Sequence, residues 1–150
     1  MCRYGSKHDR SEKQDMDRKE YAVELKHNGY NCAQAVLCSF AEKTGLSPEQ
    51  LMKLGAGFGV GMGCMEATCG ALIAAEMLMG LAKHEGKPVL RTARELHQAF
   101  VEKCGASLCK DLKGRDTGVV ICECDDCVRN AVLLAEEYYG ENRKISVQRV

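Results

Sequence analysis

The chain has 150 residues, 21 Lys and Arg against 21 Asp and Glu, no net charge, and ten cysteines. That length suits one domain with a real core, so disulfides are not needed as staples. The charge balance removes the electrostatic case for a nucleic-acid or anionic-membrane partner. The longest weakly polar stretch, 54–81, is interrupted by glycines, Glu66 and Glu76, so neither a membrane span nor a signal peptide is expected. The expected compartment is a reducing cytoplasm, where cysteine-rich patterns point to metal binding or thiol chemistry rather than to disulfides.

In chain order, residues 1–16 are too polar to offset the entropy of ordering and are expected as a flexible tail, leaving 17–150 as a single all-helical, cysteine-rich redox domain. A first helix is predicted over 17–27, ended by Asn28 and Gly29. A second starts at Asn31 and carries Cys32, Ala35, Val36 and Phe40 inward until Gly45. Ser47, Pro48 and Gln50 form a capping box with proline at the first helical position. Alternating glycines over 55–63 lead into a helix over 68–83 that is apolar on most faces and so central. Helices over 91–103 and 126–139 and a short turn at 107–112 complete the set, with 118–122 as the sole candidate strand. The fold class is therefore all-α: a single-domain bundle of five to six helices around a central apolar one. Five short neighbours leave that central helix under-covered, which suggests a homodimer.

Four thiols carry the chemistry. Cys32, Cys69, Cys109 and Cys127 closely follow Asn31, Thr68, Ser107 and Asp126, each able to cap a helix. The unpaired N–H groups of a first helical turn favour thiolate, the form that attacks disulfides and binds metals. If these starts meet, they form a pocket for an anionic sulfur centre. Cys122, Cys124 and Cys127 make CxCxxC, but the two aspartates of CDDC oppose thiolate formation. Cys64 and Cys69, like Cys104 and Cys109, are spaced so that each pair can give two ligands to one cluster. Cys38 and Cys104 read more simply as small buried hydrophobes, and Cys2 as a tail thiol. His97 reads as a core or boundary histidine, and Met62, Met65, Met77 and Met79 as core filling. The glycine run lacks GxGxxG, a preceding strand and a Gly-Lys-Ser/Thr ending, so a nucleotide cradle is set aside.

GYNCAQAVL at 29–37, GAGFGVGMG at 55–63, CGAL at 69–72, GASLCKDL at 105–112 and CVRNAVLLAEE at 127–137 together resemble the C_GCAxxG_C_C family of redox-active proteins. The resemblance maps the family's four cysteines onto Cys32, Cys69, Cys109 and Cys127, the same four picked out by helix starts. It also maps the CGA of its CGAxxG motif onto Cys69, Gly70 and Ala71, with Ala74 where the family has its last glycine. It implies a small all-helical redox protein, and a related domain occurs in a cytochrome with an iron-sulfur centre.

Three readings follow, in descending order. The first is an iron-sulfur protein in electron transfer or redox sensing, with Cys32, Cys69, Cys109 and Cys127 as ligands, Gly70 beside the cofactor, and Cys64, Cys122 and Cys124 as further candidates. The second is a metal-free thiol-disulfide oxidoreductase in which Cys32 or Cys127 attacks. The third is a structural zinc module, ranked last because paired CxxC knuckles are absent. An unidentified redox protein is the expected partner, and any enzymatic activity would be that of an oxidoreductase.

Overall fold

A computed structural model describes residues 13–140 and 144–148. Helices dominate: α1 (Arg18–His27), α2 (Cys32–Cys38), α3 (Ala41–Thr44), α4 (Pro48–Gly55), α5 (Gly70–Lys83), α6 (Leu90–Cys104), α7 (Cys109–Lys113) and α8 (Cys124–Glu136). A kinked loop, Gly61–Met65, with left-handed backbone at Gly61, Met62, Gly63 and Met65, lies between α4 and α5. The all-α bundle expected from periodicity is the observed architecture.

α5 is the centre. It packs against α2, α3, α6 and α8, while α1 lies across α2 and α8. Gly70, Ala71, Leu72, Ala74, Ala75, Leu78 and Met79 are all buried along it. The small residues at 71, 74 and 75 let its neighbours approach closely, and Leu72 and Leu78 fill the space between them. Among the described residues no helix is long and apolar enough to cross a membrane.

The expected second helix is two helices, α2 and α3, because the chain bends at Ser39 and Phe40. Ser39 Oγ donates to Val36 O at 2.7 Å, and the Ser39 carbonyl accepts from Arg18. Such side-chain bonding competes with the helical ladder and diverts the backbone. The capping box at Ser47 forms as expected: Gln50 N donates to Ser47 Oγ at 3.1 Å, and Ser47 N to Gln50 Oε1 at 2.9 Å.

One feature lies outside the all-helical expectation. Lys13–Asp17 forms strand β1, paired antiparallel with β2 (Lys144–Gln148) in the register Lys13↔Gln148 to Asp17↔Lys144. The stretch 13–17 has no apolar alternation, so its strand state comes from this long-range pairing rather than from local pattern. Residues 118–122 are loop, not strand. Residues 1–12 of the expected tail, Cys2 included, lie outside the described residues.

Candidate thiol and metal centre

Two helix starts are bolted together by backbone. Cys69 N donates to Ser107 O at 2.8 Å, Cys109 N donates to Ala67 O at 3.0 Å, and Thr68 bridges Leu108. This short antiparallel ladder sets Cys69, the N-cap of α5, beside Cys109, the first residue of α7. Asn31 fixes a third start: its Oδ1 accepts from Gln34 N at 2.8 Å, and its Nδ2 donates to Gly55 O at 3.1 Å. Cys32 thereby opens α2 against the glycine segment. The fourth start, α8, supplies Cys124 in its first position and Cys127 one turn further on.

Of the four predicted caps only Asn31 acts through its side chain. Cys69 itself, Leu108 and Glu123 occupy the cap positions expected for Thr68, Ser107 and Asp126, and none gives a side-chain cap bond. α8 begins two residues before its predicted cap, since Asp125 and Asp126 are both favourable in a first helical turn.

The thiols interact as one system. Cys32 is hydrogen-bonded to Cys124, Cys69 to Cys127, and Cys127 to Cys104 and Cys122, while Cys109 feels the charge of Cys69 and Cys124. The sulfurs of Cys104, Cys122 and Cys127 all lie within 4.8 Å of one another and can hold a metal ion. All nine described cysteines are free thiols. Cys64 sits exposed at the rim, its sulfur 3.6 Å from Gly61 O. Cys38 is buried away from this system, 3.8 Å from Pro48 O, in keeping with a small hydrophobe.

Charge is divided unevenly among them. The hydrogen bond from Cys32 lowers Cys124 to about 5, against burial and with help from Lys113 and Lys26. Cys69 is held below its ordinary value by Cys127, against burial, and by the backbone N–H groups of Leu72 and Ala71 at the start of α5. Cys127, Asn130 and Cys122 bring Cys104 down to about 6 against burial. Their donors move the other way. Cys32 is pushed up by its bond to Cys124 and by burial, and Cys127 by its bonds to Cys104 and Cys69 and by burial. Burial also raises Cys109, and brings Cys122 up to about 11.

These shifts correct two expectations. Cys32 and Cys127, taken as the candidate low-pKa nucleophiles, are the hydrogen-bond donors and so the thiols held neutral. The opposition expected of the CDDC aspartates does not decide Cys124, which the hydrogen bond from Cys32 brings down, but it does act at Cys104 and Cys122, both of which Asp126 raises. Cys104, set aside as a core hydrophobe, belongs to the thiol system. The signal for it lay in the inward face of α6, where Leu96 and Phe100 are also buried.

Lys113 was missed altogether. Its Nζ is enclosed at the end of the α7 turn that begins with Cys109, with the Cys124 sulfur as its hydrogen-bond partner. Burial alone would lower its pKa, yet the neighbouring Cys124, Cys127 and Cys69 sulfurs raise it. An enclosed ammonium facing sulfur is a fixed positive charge that favours the thiolate at Cys124 and favours any anionic centre these sulfurs hold.

Backbone closes the remaining side. Val60, Met62 and Met65 have φ of 54°, 59° and 60°, a left-handed conformation that non-glycine residues rarely take. The Val60 N–H is directed at Cys32, where it favours the charged sulfur. Gly61 has φ 55°, and a Cβ on it would stand 2.6 Å from the Cβ of Cys109, so only glycine brings the loop this near.

The model of the family described as "Putative redox-active protein (C_GCAxxG_C_C)" matches residues 30–138. No curated protein and no solved structure matches the chain. That match covers well over half of the chain, and the chain belongs to the C_GCAxxG_C_C family.

Proposed function

We propose that this protein carries an iron-sulfur cluster held by Cys32, Cys69, Cys109 and Cys127, and acts in electron transfer or redox sensing. The observation that carries the reading is the enclosed Lys113 ammonium, which faces the Cys124, Cys127 and Cys69 sulfurs and is hydrogen-bonded to Cys124. A cluster bound by four thiolates is anionic and soft, and this donor set is all sulfur. Zinc held by four thiolates is anionic too and would gain from the same cation, so the metal and sulfide assay below separates the two.

Such a cluster supplies one-electron transfer when bound. The chain's own groups set its surroundings. Cys124 lies next to Cys32 and Lys113 as a fifth sulfur, which either adds a ligand or tunes the charge near the centre. The N–H groups of Ala71, Leu72 and Val60 donate toward sulfur, and such donation stabilises the more reduced, more negative state. Gly70 lets the start of α5 approach Cys32. A redox partner protein and a reducing cytoplasmic location suit this chemistry, since free thiols persist there.

The test is protein purified without oxygen, with iron, zinc and acid-labile sulfide assayed together and the visible spectrum recorded. Iron and sulfide in comparable amounts with broad visible absorption are expected, and Cys69→Ser should diminish both. Protein holding neither after attempted reconstitution would refute the cluster.

A further inference from the structure

Cys104 and Cys122 belong to the thiol system but not to the four cluster positions. Cys104 ends α6, where Gly105 turns left-handed at φ 93°. The loop before α8 folds back over that end: Ile121 N and Cys122 N both reach Leu112 O, at 3.1 and 3.4 Å, and Ile121 Cδ1 lies 3.4 Å from where a Cβ on Gly105 would be. The backbone thus delivers Cys122 to Cys104, with the two sulfurs within 4.8 Å.

The two thiols differ in access. Cys104 is only 4% exposed, and Asn130 Nδ2 donates to its sulfur at 3.3 Å. Cys122 is half-buried and lines an open groove of about 470 Å³ together with Lys19, Lys103, Ile121, Arg129 and Asn130. That volume admits a small molecule. One thiol therefore meets the solvent-borne reactant, and the other waits behind it on a fixed hydrogen bond.

We propose that Cys104 and Cys122 form a dithiol that reduces low-molecular-weight disulfides entering this groove, a second redox site that borders Cys127, to which both sulfurs are hydrogen-bonded. The Cys122 thiol passes its proton to the hydrogen-bonded Cys104 sulfur as it attacks one sulfur of the incoming disulfide; a Cys122 mixed disulfide forms, the original S–S bond breaks, and the first leaving thiolate takes up a proton from solvent. The Cys104 sulfur then attacks the Cys122 sulfur, forming the Cys104–Cys122 disulfide and expelling the second thiolate, which takes the proton Cys104 gives up. Two protein thiols are oxidised by two electrons, and one disulfide becomes two thiols. Asn130 is a positioning residue that holds the Cys104 sulfur toward Cys122.

The experiment uses the full chain, prepared without oxygen and exposed to glutathione disulfide, followed by alkylation and peptide mapping. A Cys104–Cys122 linked peptide with release of two glutathiones per chain is expected. Cys104→Ser should trap glutathione on Cys122, whereas Cys122→Ser should leave Cys104 unmodified. Asn130→Ala should slow linkage roughly tenfold, the effect of one hydrogen bond to a charged sulfur, without slowing the first mixed disulfide. Circular dichroism confirms that each variant keeps its helices, and mapping of the unmutated protein decides the matter should one not fold. The proposal is overturned if both thiols remain alkylatable, if a different cysteine pair links first, or if zinc or copper co-purifies and is lost in Cys104→Ser.

Discussion

A Cβ placed on Gly70 would stand 2.7 Å from the sulfur of Cys32 and 2.2 Å from the carbonyl oxygen of Phe58. The glycine and the cysteine share a boundary with no room for a methyl group, and the obstructing carbonyl is backbone that cannot rotate away. Gly70→Ala is expected to cost roughly 1–3 kcal/mol, the usual penalty for overpacking, and to loosen metal retention by displacing Cys32. Gly80, on the same helix with nothing within 4 Å, is the control. There alanine should stabilise by about 0.5–1 kcal/mol, since only helix propensity changes. Thermal melts of the two variants, read side by side, check both signs.

How far the sequence could be read depended on whether the cause was local. The Ser47 box and the glycine that ends α3 have local causes, so those boundaries could be placed from residue type. The ladder joining Cys69 to Ser107 and Cys109 to Ala67 is long-range, so capping residues were assigned where tertiary bonds do the work. That Cys32, Cys69 and Cys109 open helices was legible in the residues before them, but the charge states of the thiols were not. Which sulfur is anionic depends on which thiol donates to it, as Cys32 does to Cys124, and these partners come from distant helices. Lys113 gave no signal in sequence because a lysine after a short helix normally points to water.

Arg18 is an unusual core residue, 2% exposed and fully inside the bundle. It donates to Ser39 O, pairs with Glu42, lies 3.8 Å from Glu136, and stacks its guanidinium 4.5 Å above the Phe40 ring. It thereby ties α1 to the bend between α2 and α3 and to the end of α8. Arg18→Met keeps the stem but removes the cation facing Glu136, itself 5% exposed. Breaking a buried pair from one side is expected to cost roughly 3–5 kcal/mol, about 10 °C in Tm. Denaturant unfolding measures it.

Glu76 sets a pH dependence. Its ordinary value is 4.5, and burial against the bundle pushes it up to about 7. Between those values the folded chain keeps a proton that the unfolded chain has released. The stabilising contribution is therefore complete below 4.5 and is lost as pH rises through 7. Asp125 runs the opposite way: Lys26 and His27 outweigh burial and lower it from 3.8, so its contribution is lost on acidification. Glu76→Gln should melt above the parent at pH 8, with the gap closing toward pH 4.5. A gap independent of pH would mean that the glutamate is charged throughout.

Lys113 offers the most direct test of what the thiol pocket was shaped to hold. With Nζ enclosed and its nearest ionisable neighbours the Cys124, Cys127 and Cys69 sulfurs, its charge is available to whatever anion those sulfurs bind. Replacing it by methionine keeps the stem's apolar packing and removes only that charge. In the metal-free protein the substitution should raise the Cys124 thiol from about 5, because Lys113 supplies part of the stabilisation of its thiolate. Thiolate ultraviolet absorbance followed against pH reads this directly. In reconstituted protein the same change should shorten the lifetime of bound iron and sulfide under a chelator, since the centre loses its one enclosed cation among the described residues. Lys103→Met, on the exposed end of α6, should alter neither readout. Equal iron retention in Lys113→Met and the parent would show that the ammonium does not serve an anionic centre, and would remove the principal support for the cluster.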